Sequence, residues 1–261
     1  MPPPTTGLRL IRSGENPPSR EPVVCGSCGR KHLELRGLCS RCQGRSYCRE
    51  LLREQTSRRV LGLTFDAFRP SADTQRAYDV LRRWTKAAIE GRNPPGFALQ
   101  GSVGSGKTHL LRAVWNAVLF DPPIVQSWVS ETCFVQEGYW FDQHKASMRD
   151  DSEVSRAILL ERAQRSKLLC WDDLGVQPRG DRGWVDELMY LVFDARYESR
   201  LPTLISTNFD LSKPTTKLSE RVRDRILGLL RDEKSGRPRI LALGAQSFRQ
   251  LGVADAEDGP K

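Results

Sequence analysis

The sequence lacks any apolar run that approaches the roughly 18 residues needed to span a membrane. Residues 1–6 also lack the hydrophobic segment of a secretory signal. These two absences argue against a membrane partner and favour a cytoplasmic location.

The first part of the chain has few apolar side chains. Residues 1–22 are rich in Pro, Gly, Ser and charge, so they cannot bury enough surface to offset the entropy of ordering, and we expect a flexible arm. Positive charge is concentrated here, since residues 1–60 hold 12 Lys and Arg against 5 Asp and Glu. Such an excess is typical of a surface that meets nucleic acid or an acidic protein, although a solvated arginine-rich face explains it as well.

Four of the seven cysteines form two C-x-x-C pairs, Cys25 with Cys28 and Cys39 with Cys42. Zn²⁺ takes four thiolates in a tetrahedron, and each C-x-x-C turn places two sulfur atoms on one side of the metal. Disulfide pairing is disfavoured in a reducing cytosol. We therefore predict a structural zinc module over residues 23–59, whose closed ligand sphere serves recognition rather than chemistry.

Other potential ligands and thiols lie nearby and further along the chain. His32 and Cys48 are spare zinc ligands, and neither is preferred, because His32 would require one C-x-x-C pair to be broken. Cys133 and Cys170 have no spaced partners, so we interpret them as packing residues.

A complete G-x-x-x-x-G-K-[ST] phosphate loop follows a short apolar run at residues 96–100 and precedes helical spacing of apolar residues over 109–118. The loop therefore joins a strand to a helix. Its glycines let consecutive backbone N–H groups turn toward a phosphate, and the helix N-terminus adds positive dipole. The predicted nucleotide-binding residues are Gly101, Ser102, Val103, Gly104, Ser105, Gly106, Lys107, Thr108 and His109.

The last residues of this loop have distinct expected roles. We predict that Lys107 meets the β- and γ-phosphates of ATP and that Thr108 is a ligand of Mg²⁺. His109 is interpreted as a residue of the first helical turn rather than a catalytic group.

A second motif resembles the other half of a Mg-nucleotide site. The apolar strand predicted at residues 168–171 ends in Asp172 and Asp173. We expect Asp172 to hold Mg²⁺ through water and Asp173 to polarise the attacking water, although many related ATPases have the longer Glu at that position.

Polar residues end the next predicted strand as well. Asn208 is the last residue of the strand predicted at residues 204–208 and is a candidate sensor of the γ-phosphate. The helix predicted at residues 218–227 carries Arg221 and Arg225 four positions apart, hence on one face. A solvated basic face is the simpler interpretation of that pair.

Helices are predicted at residues 72–90, 154–163 and 184–198, and strands at residues 124–129 and 239–243. Strands that alternate with helices, with the candidate ligands following the strands, indicate an α/β fold with a doubly wound parallel sheet. We place this domain at residues 60–250 and a polar tail at residues 251–261.

This order of motifs resembles the AAA+ helicase loaders of the DnaC/DnaI type and the similar IstB transposition helpers. The resemblance covers residues 60–250 and is carried by T-F-D-A-F at 64–68, the G-S-V-G-S-G-K-T-H loop, W-D-D-L-G at 171–175, S-T-N at 206–208 and R-V-R-D-R-I at 221–226. It implies a P-loop AAA+ ATPase core without a C-terminal lid domain.

The resemblance also implies a function. Loaders of this type deliver a replicative hexameric helicase onto single-stranded DNA under ATP control, and in the DnaI type an N-terminal zinc module grips the helicase. By similarity, Asn208 is sensor 1 and Arg225 is the arginine finger that reaches a neighbour's nucleotide, with Arg221 the weaker choice. Self-association through the ATP site follows from that assignment.

Two other functions compete with the loader. An IstB-like helper would bind duplex DNA and recruit a transposase, and a zinc-dependent nucleic-acid adaptor would keep only a vestigial ATP site. The zinc module favours the loader over the helper, and intact Lys107, Thr108 and Asp172 argue against the adaptor.

Overall fold

The computed structural model describes residues 23–24, 31–32, 58–120, 132–149, 153–176 and 182–244. The chain divides into two compact units, residues 1–43 and 44–261. In the first unit, strands β1 (Val23–Val24) and β2 (Lys31–His32) pair antiparallel. The five cysteines of the N-terminal region, including the four predicted zinc ligands, lie outside the described residues.

The second unit contains a parallel sheet with the order β4-β5-β6-β3-β7 within the described residues. The phosphate loop leaves β3, which lies between β6 and β7. This arrangement confirms the predicted parallel α/β sheet. The strands are β3 (Phe97–Gly101), β4 (Thr132–Gln136), β5 (Leu168–Leu174), β6 (Thr203–Thr207) and β7 (Ile240–Leu243).

Helices connect these strands, and the predicted helices at 72–90, 154–163, 184–198 and 218–227 are all present within a few residues of their expected ends. No helix in the described ranges is long and apolar enough to cross a membrane. The helices are α1 (Arg58–Leu61), α2 (Ala72–Ile89), α3 (Lys107–Phe120), α4 (Glu137–Arg149), α5 (Glu153–Arg165), α6 (Arg182–Glu198) and α7 (Glu220–Leu229).

The region between α3 and α5 differs from the prediction. The strand expected at residues 124–129 falls outside the described residues, whereas β4 and α4, at residues 132–149, are not predicted by the sequence pattern. Because β4 lies at one end of the sheet order, it pairs with a single strand, β5. A five-residue edge strand with a threonine and a glutamine among its residues lacks the long apolar run that identifies an interior strand.

Alternate residues of the strands supply two separate cores. Phe97 and Leu99 of β3 pack with α2 and α3 on one face of the sheet, whereas Ala98 packs with α4 to α7 on the other. Cys170 lies in the first core and Cys133 in the second, both buried and free of disulfide, as their predicted packing role requires. The sheet is therefore covered by helices on both faces, which leaves its carboxyl edge to hold a ligand.

Candidate nucleotide site

The phosphate loop adopts the backbone that its glycines permit. Gly104 and Gly106 have φ angles of 83° and 91°, a left-handed region that side chains with a Cβ rarely enter. Helix α3 begins at Lys107, directly after the loop. The loop amides and the helix N-terminus thus meet at one point, which is the arrangement that binds a phosphate.

Lys107 lies inside this loop. Its Nζ donates hydrogen bonds to the backbone oxygens of Gly101 at 2.9 Å and Ser102 at 2.6 Å, and the residue is 4% exposed. The ammonium group is therefore held by carbonyl dipoles at the loop, where phosphate oxygens can become its partners.

Asp172 is connected both to the helix that follows the phosphate loop and to the neighbouring strand β6. Its Oδ1 accepts hydrogen bonds from the hydroxyl of Thr108, at 3.1 Å, and from the hydroxyl of Ser206. Burial raises the pKa of Asp172, and the Ser206 hydrogen bond acts in the opposite direction. A hydroxyl beside a buried carboxylate is a donor set that suits Mg²⁺, so Thr108 and Asp172 fit the predicted metal role.

The strand that carries the two acids continues through them to Leu174 instead of ending before them. The register of β5 against β6 shifts by one residue between Trp171 and Leu174, which is a β-bulge. Asp173 has a φ of 59°, a left-handed conformation that a non-glycine residue adopts at a cost. The bulge sets both Asp172 and Asp173 against the single residue Ser206 of β6, an irregularity that period-two alternation does not predict.

Ser206 is a residue of this site that sequence reasoning does not assign. Its hydroxyl donates to Asp172 and accepts the backbone N–H of Asp173 at 2.9 Å. One side chain therefore stabilises the bulge and orients the carboxylate. Its position in the S-T-N segment only weakly indicates a role in the site. The register of β6 against β5 is what brings its hydroxyl to Asp172.

Glu137 is also not predicted from the sequence, and it supports the same bulge from the other side. This fully buried carboxylate accepts the indole N–H of Trp171 at 3.0 Å and the backbone N–H of Gly175 at 2.9 Å. Gly175 has a φ of 83°, and a Cβ there would lie 2.4 Å from the Phe209 ring. Both ends of the bulged segment are thus fixed by hydrogen bonds.

A cavity of about 670 Å³ opens over the phosphate loop. It brings Lys107, Thr108, Asp173 and Asn208 together, although they come from three separate segments of the sequence. A further wall belongs to a segment for which the sequence predicts no site role. The lining residues of that wall are Arg59, Leu63, Ala67, Phe68 and Arg69.

The two arginines of α7 do not line this cavity. Arg225 forms an ion pair with Asp194, with Nε 2.7 Å from Oδ1, and its guanidinium lies 5.3 Å from the centre of the Tyr197 ring. Arg221 pairs with Asp186 at 3.2 Å. The structure therefore separates the candidate trans-acting arginine from the chain's own phosphate loop.

A phosphate loop, a bulged acidic strand and the polar end of a neighbouring strand surround one cavity. Comparison with known proteins identifies the protein family to which this arrangement belongs. A model of the bacterial DnaA ATPase domain matches residues 61–230. The chain belongs to the bacterial DnaA ATPase-domain family.

Individual proteins similar to this family member include two curated relatives. Phage-like element PBSX protein XkdC of Bacillus subtilis strain 168 is 28% identical over 172 residues, which cover 64% of this chain and 56% of XkdC. The replicative helicase loader DnaC of Escherichia coli K12 is 29% identical over 134 residues, or 51% of each chain. The chain thus spans about half the length of the curated relatives it matches.

The fold is similar to that of a solved structure, DnaI. The crystal structure of DnaI superposes with a TM-score of 0.55 at 21% identity, covering 72% of this chain and 94% of DnaI. The resemblance to the DnaC/DnaI type predicted from the motifs is confirmed.

Proposed function

We propose that this protein is an ATP-dependent helicase loader, which binds a replicative helicase hexamer and delivers it onto single-stranded DNA. The observation that carries the proposal is the convergence of Lys107, Thr108, Asp173 and Asn208 on one cavity, with Asp172 beside it. Family membership and similarity to DnaC support the same function.

Each side chain has a role that its position supports. Lys107 binds the β- and γ-phosphates, Asp173 polarises the attacking water, and Asn208 senses the γ-phosphate from the end of β6. Thr108 and Asp172 would hold Mg²⁺, which neutralises phosphate charge when bound. Ser206 and Glu137 keep the acidic strand in its bulged conformation.

Arg225 acts on the nucleotide of a neighbouring subunit in this proposal. Its position outside the cavity of its own chain is compatible with that role, and it would have to leave Asp194 to reach a phosphate. Nucleotide binding and self-association then become one linked property. The N-terminal cysteines would hold Zn²⁺ in a module that grips the helicase.

Loading of a cognate replicative helicase onto closed circular single-stranded DNA tests this function. Wild-type protein with ATP should increase the amount of helicase on the circle. Arg225→Ala should bind ATP within a few-fold of wild type yet fail to load, because it lacks the charge supplied in trans. Arg221→Ala, which removes an equal charge one turn away, is the matched control and should be milder.

Two results would change this conclusion. If the protein binds no replicative helicase but binds duplex DNA and enhances strand transfer by a transposase, the IstB-like helper replaces the loader. If Arg225→Ala loads normally, the loader remains and the trans-acting assignment is removed.

A further inference from the structure

One wall of the cavity is formed by Arg59 of α1 and by the segment that follows this helix, up to Arg69. This wall presents the apolar side chains of Leu63, Ala67 and Phe68. Phe68 also stacks on Tyr78 of α2, with ring centres 6.0 Å apart. Apolar groups that share a cavity with a phosphate site match the flat face of a nucleotide base, so the position of this wall decides how the base is held.

His109 connects the wall to the first turn of α3. Its Nε2 lies 2.9 Å from the backbone oxygen of Thr64. Because a carbonyl oxygen only accepts, Nε2 must carry the hydrogen in this contact. The imidazole edge also packs against Phe68, with ring centres 5.1 Å apart.

Asn116 makes the second connection, seven residues later and therefore on the same face of α3. Its Nδ2 donates to the backbone oxygens of Val60 at 2.7 Å and Leu63 at 3.0 Å. Asn116 is 5% exposed, so these hydrogen bonds form in a dry environment where they are strong.

We propose that His109 and Asn116 are positioning residues that hold the base-binding wall at a set distance from the phosphate loop. His109 is two residues after Lys107, so one helical turn carries both the phosphate-binding ammonium and the contact that positions the wall. By fixing this wall, the two residues make the affinity of the protein for a nucleoside triphosphate greater than its affinity for the phosphates alone. This inference rests on the nucleotide-binding part of the proposed function.

Two ligands separate base recognition from phosphate recognition. We would measure the affinities of the full-length protein for ATP and for inorganic tripolyphosphate by calorimetry in the presence of Mg²⁺. His109→Ala should weaken ATP about tenfold, the effect of one lost hydrogen bond of about 1.4 kcal/mol. Its affinity for tripolyphosphate should stay within about twofold, because the loop is unchanged.

Matched variants sharpen the measurement. His109→Gln should restore most of the ATP affinity, since an amide N–H can again reach the oxygen of Thr64. Asn116→Ala should likewise weaken ATP binding without weakening tripolyphosphate binding. If His109→Ala fails to fold, the result for Asn116→Ala decides whether the wall is positioned in this way. Lys107→Ala should weaken both ligands, because it removes a phosphate contact.

Equal weakening of ATP and tripolyphosphate by His109→Ala and Asn116→Ala, or no weakening of either, would overturn the inference. Wild-type protein that binds tripolyphosphate as tightly as ATP would overturn it as well and leave the phosphate loop in place. Wild-type protein that binds neither ligand would instead overturn the proposed function.

Discussion

The amino edge of the parallel sheet, where its strands begin, and the carboxyl edge, where they end, differ in burial and in backbone strain. At the amino edge, Arg196 of α6 is fully buried and donates to the oxygens of Ser166 at 2.8 Å and Pro202 at 2.7 Å, which closely precede β5 and β6. At the carboxyl edge, Asp173 has a left-handed backbone, and Val103 and Val176 at the cavity are 63% and 54% exposed.

The amino edge carries contacts that stabilise the fold, whereas the carboxyl edge carries the proposed nucleotide site. Arg196 also donates to the backbone oxygen of Ala163 and to Oγ1 of Thr203, so its partners are neutral oxygens of several segments. Burial lowers the pKa of Arg196 to about 9. The hydrogen bonds to these oxygens offset the desolvation cost of the buried charge. The carboxyl edge instead combines backbone strain with exposed surface at the proposed nucleotide site, as functional sites commonly do.

The largest expected effect is at the amino edge. Arg196→Met should lower the free energy of unfolding by about 3–5 kcal/mol, because it leaves several buried oxygens without donors. Urea denaturation measures this loss. Arg165→Met is the control, since its side chain is 79% exposed and its loss should change stability by less than about 0.5 kcal/mol. Equal stability of the two variants would contradict the proposed division between the edges.

A substitution at the carboxyl edge should change activity instead of stability. The expected change in the activation free energy of ATP hydrolysis is smaller than the loss of stability expected for Arg196→Met. Asp173→Asn should slow ATP hydrolysis about 100-fold, a typical cost of losing a group that acts on the attacking water. Asparagine tolerates the left-handed backbone, so stability and ATP affinity should change little. Single-turnover hydrolysis with a separate binding titration measures both, and normal hydrolysis would move the water-activating role to another residue.

The smallest expected effect has the opposite sign. Asp173→Gly should raise the free energy of unfolding by about 0.5–1 kcal/mol, because glycine adopts a φ of 59° without the steric cost of a Cβ. Thermal denaturation of the ligand-free protein checks the gain. A loss of stability would show that the aspartate side chain stabilises the bulge more than its backbone conformation costs.

Local sequence patterns are sufficient to identify much of the site. The phosphate loop, its strand and its helix are contiguous, so one window of sequence contains the glycines, Lys107 and Thr108 with their flanking apolar periodicity. Asp172 and Asn208 are identifiable in the same way, since Asp172 follows an apolar run and Asn208 ends a short strand-like segment. The roles of these residues, the zinc module and the role of Arg225 remain predictions.

The partners of those residues are not predictable in this way. Ser206 lies 34 residues after Asp172, and Glu137 lies 38 residues before Gly175. Their hydrogen bonds depend on which strands are neighbours and in which register they pair. The bulge at Asp173 adds a residue to one strand alone, a shift that alternation of apolar and polar residues does not show.

The phosphate loop, the acidic strand and the alternation of strands and helices can be predicted from the sequence, because each is encoded by residues close together in the chain. Other contacts depend on the folded structure: Ser206 and Glu137 bond to the acidic strand, His109 and Asn116 bond to the segment that ends at Arg69, and Arg196 joins the starts of β5 and β6. These are contacts between distant segments, and their geometry exists only once the sheet order and the helix packing have formed.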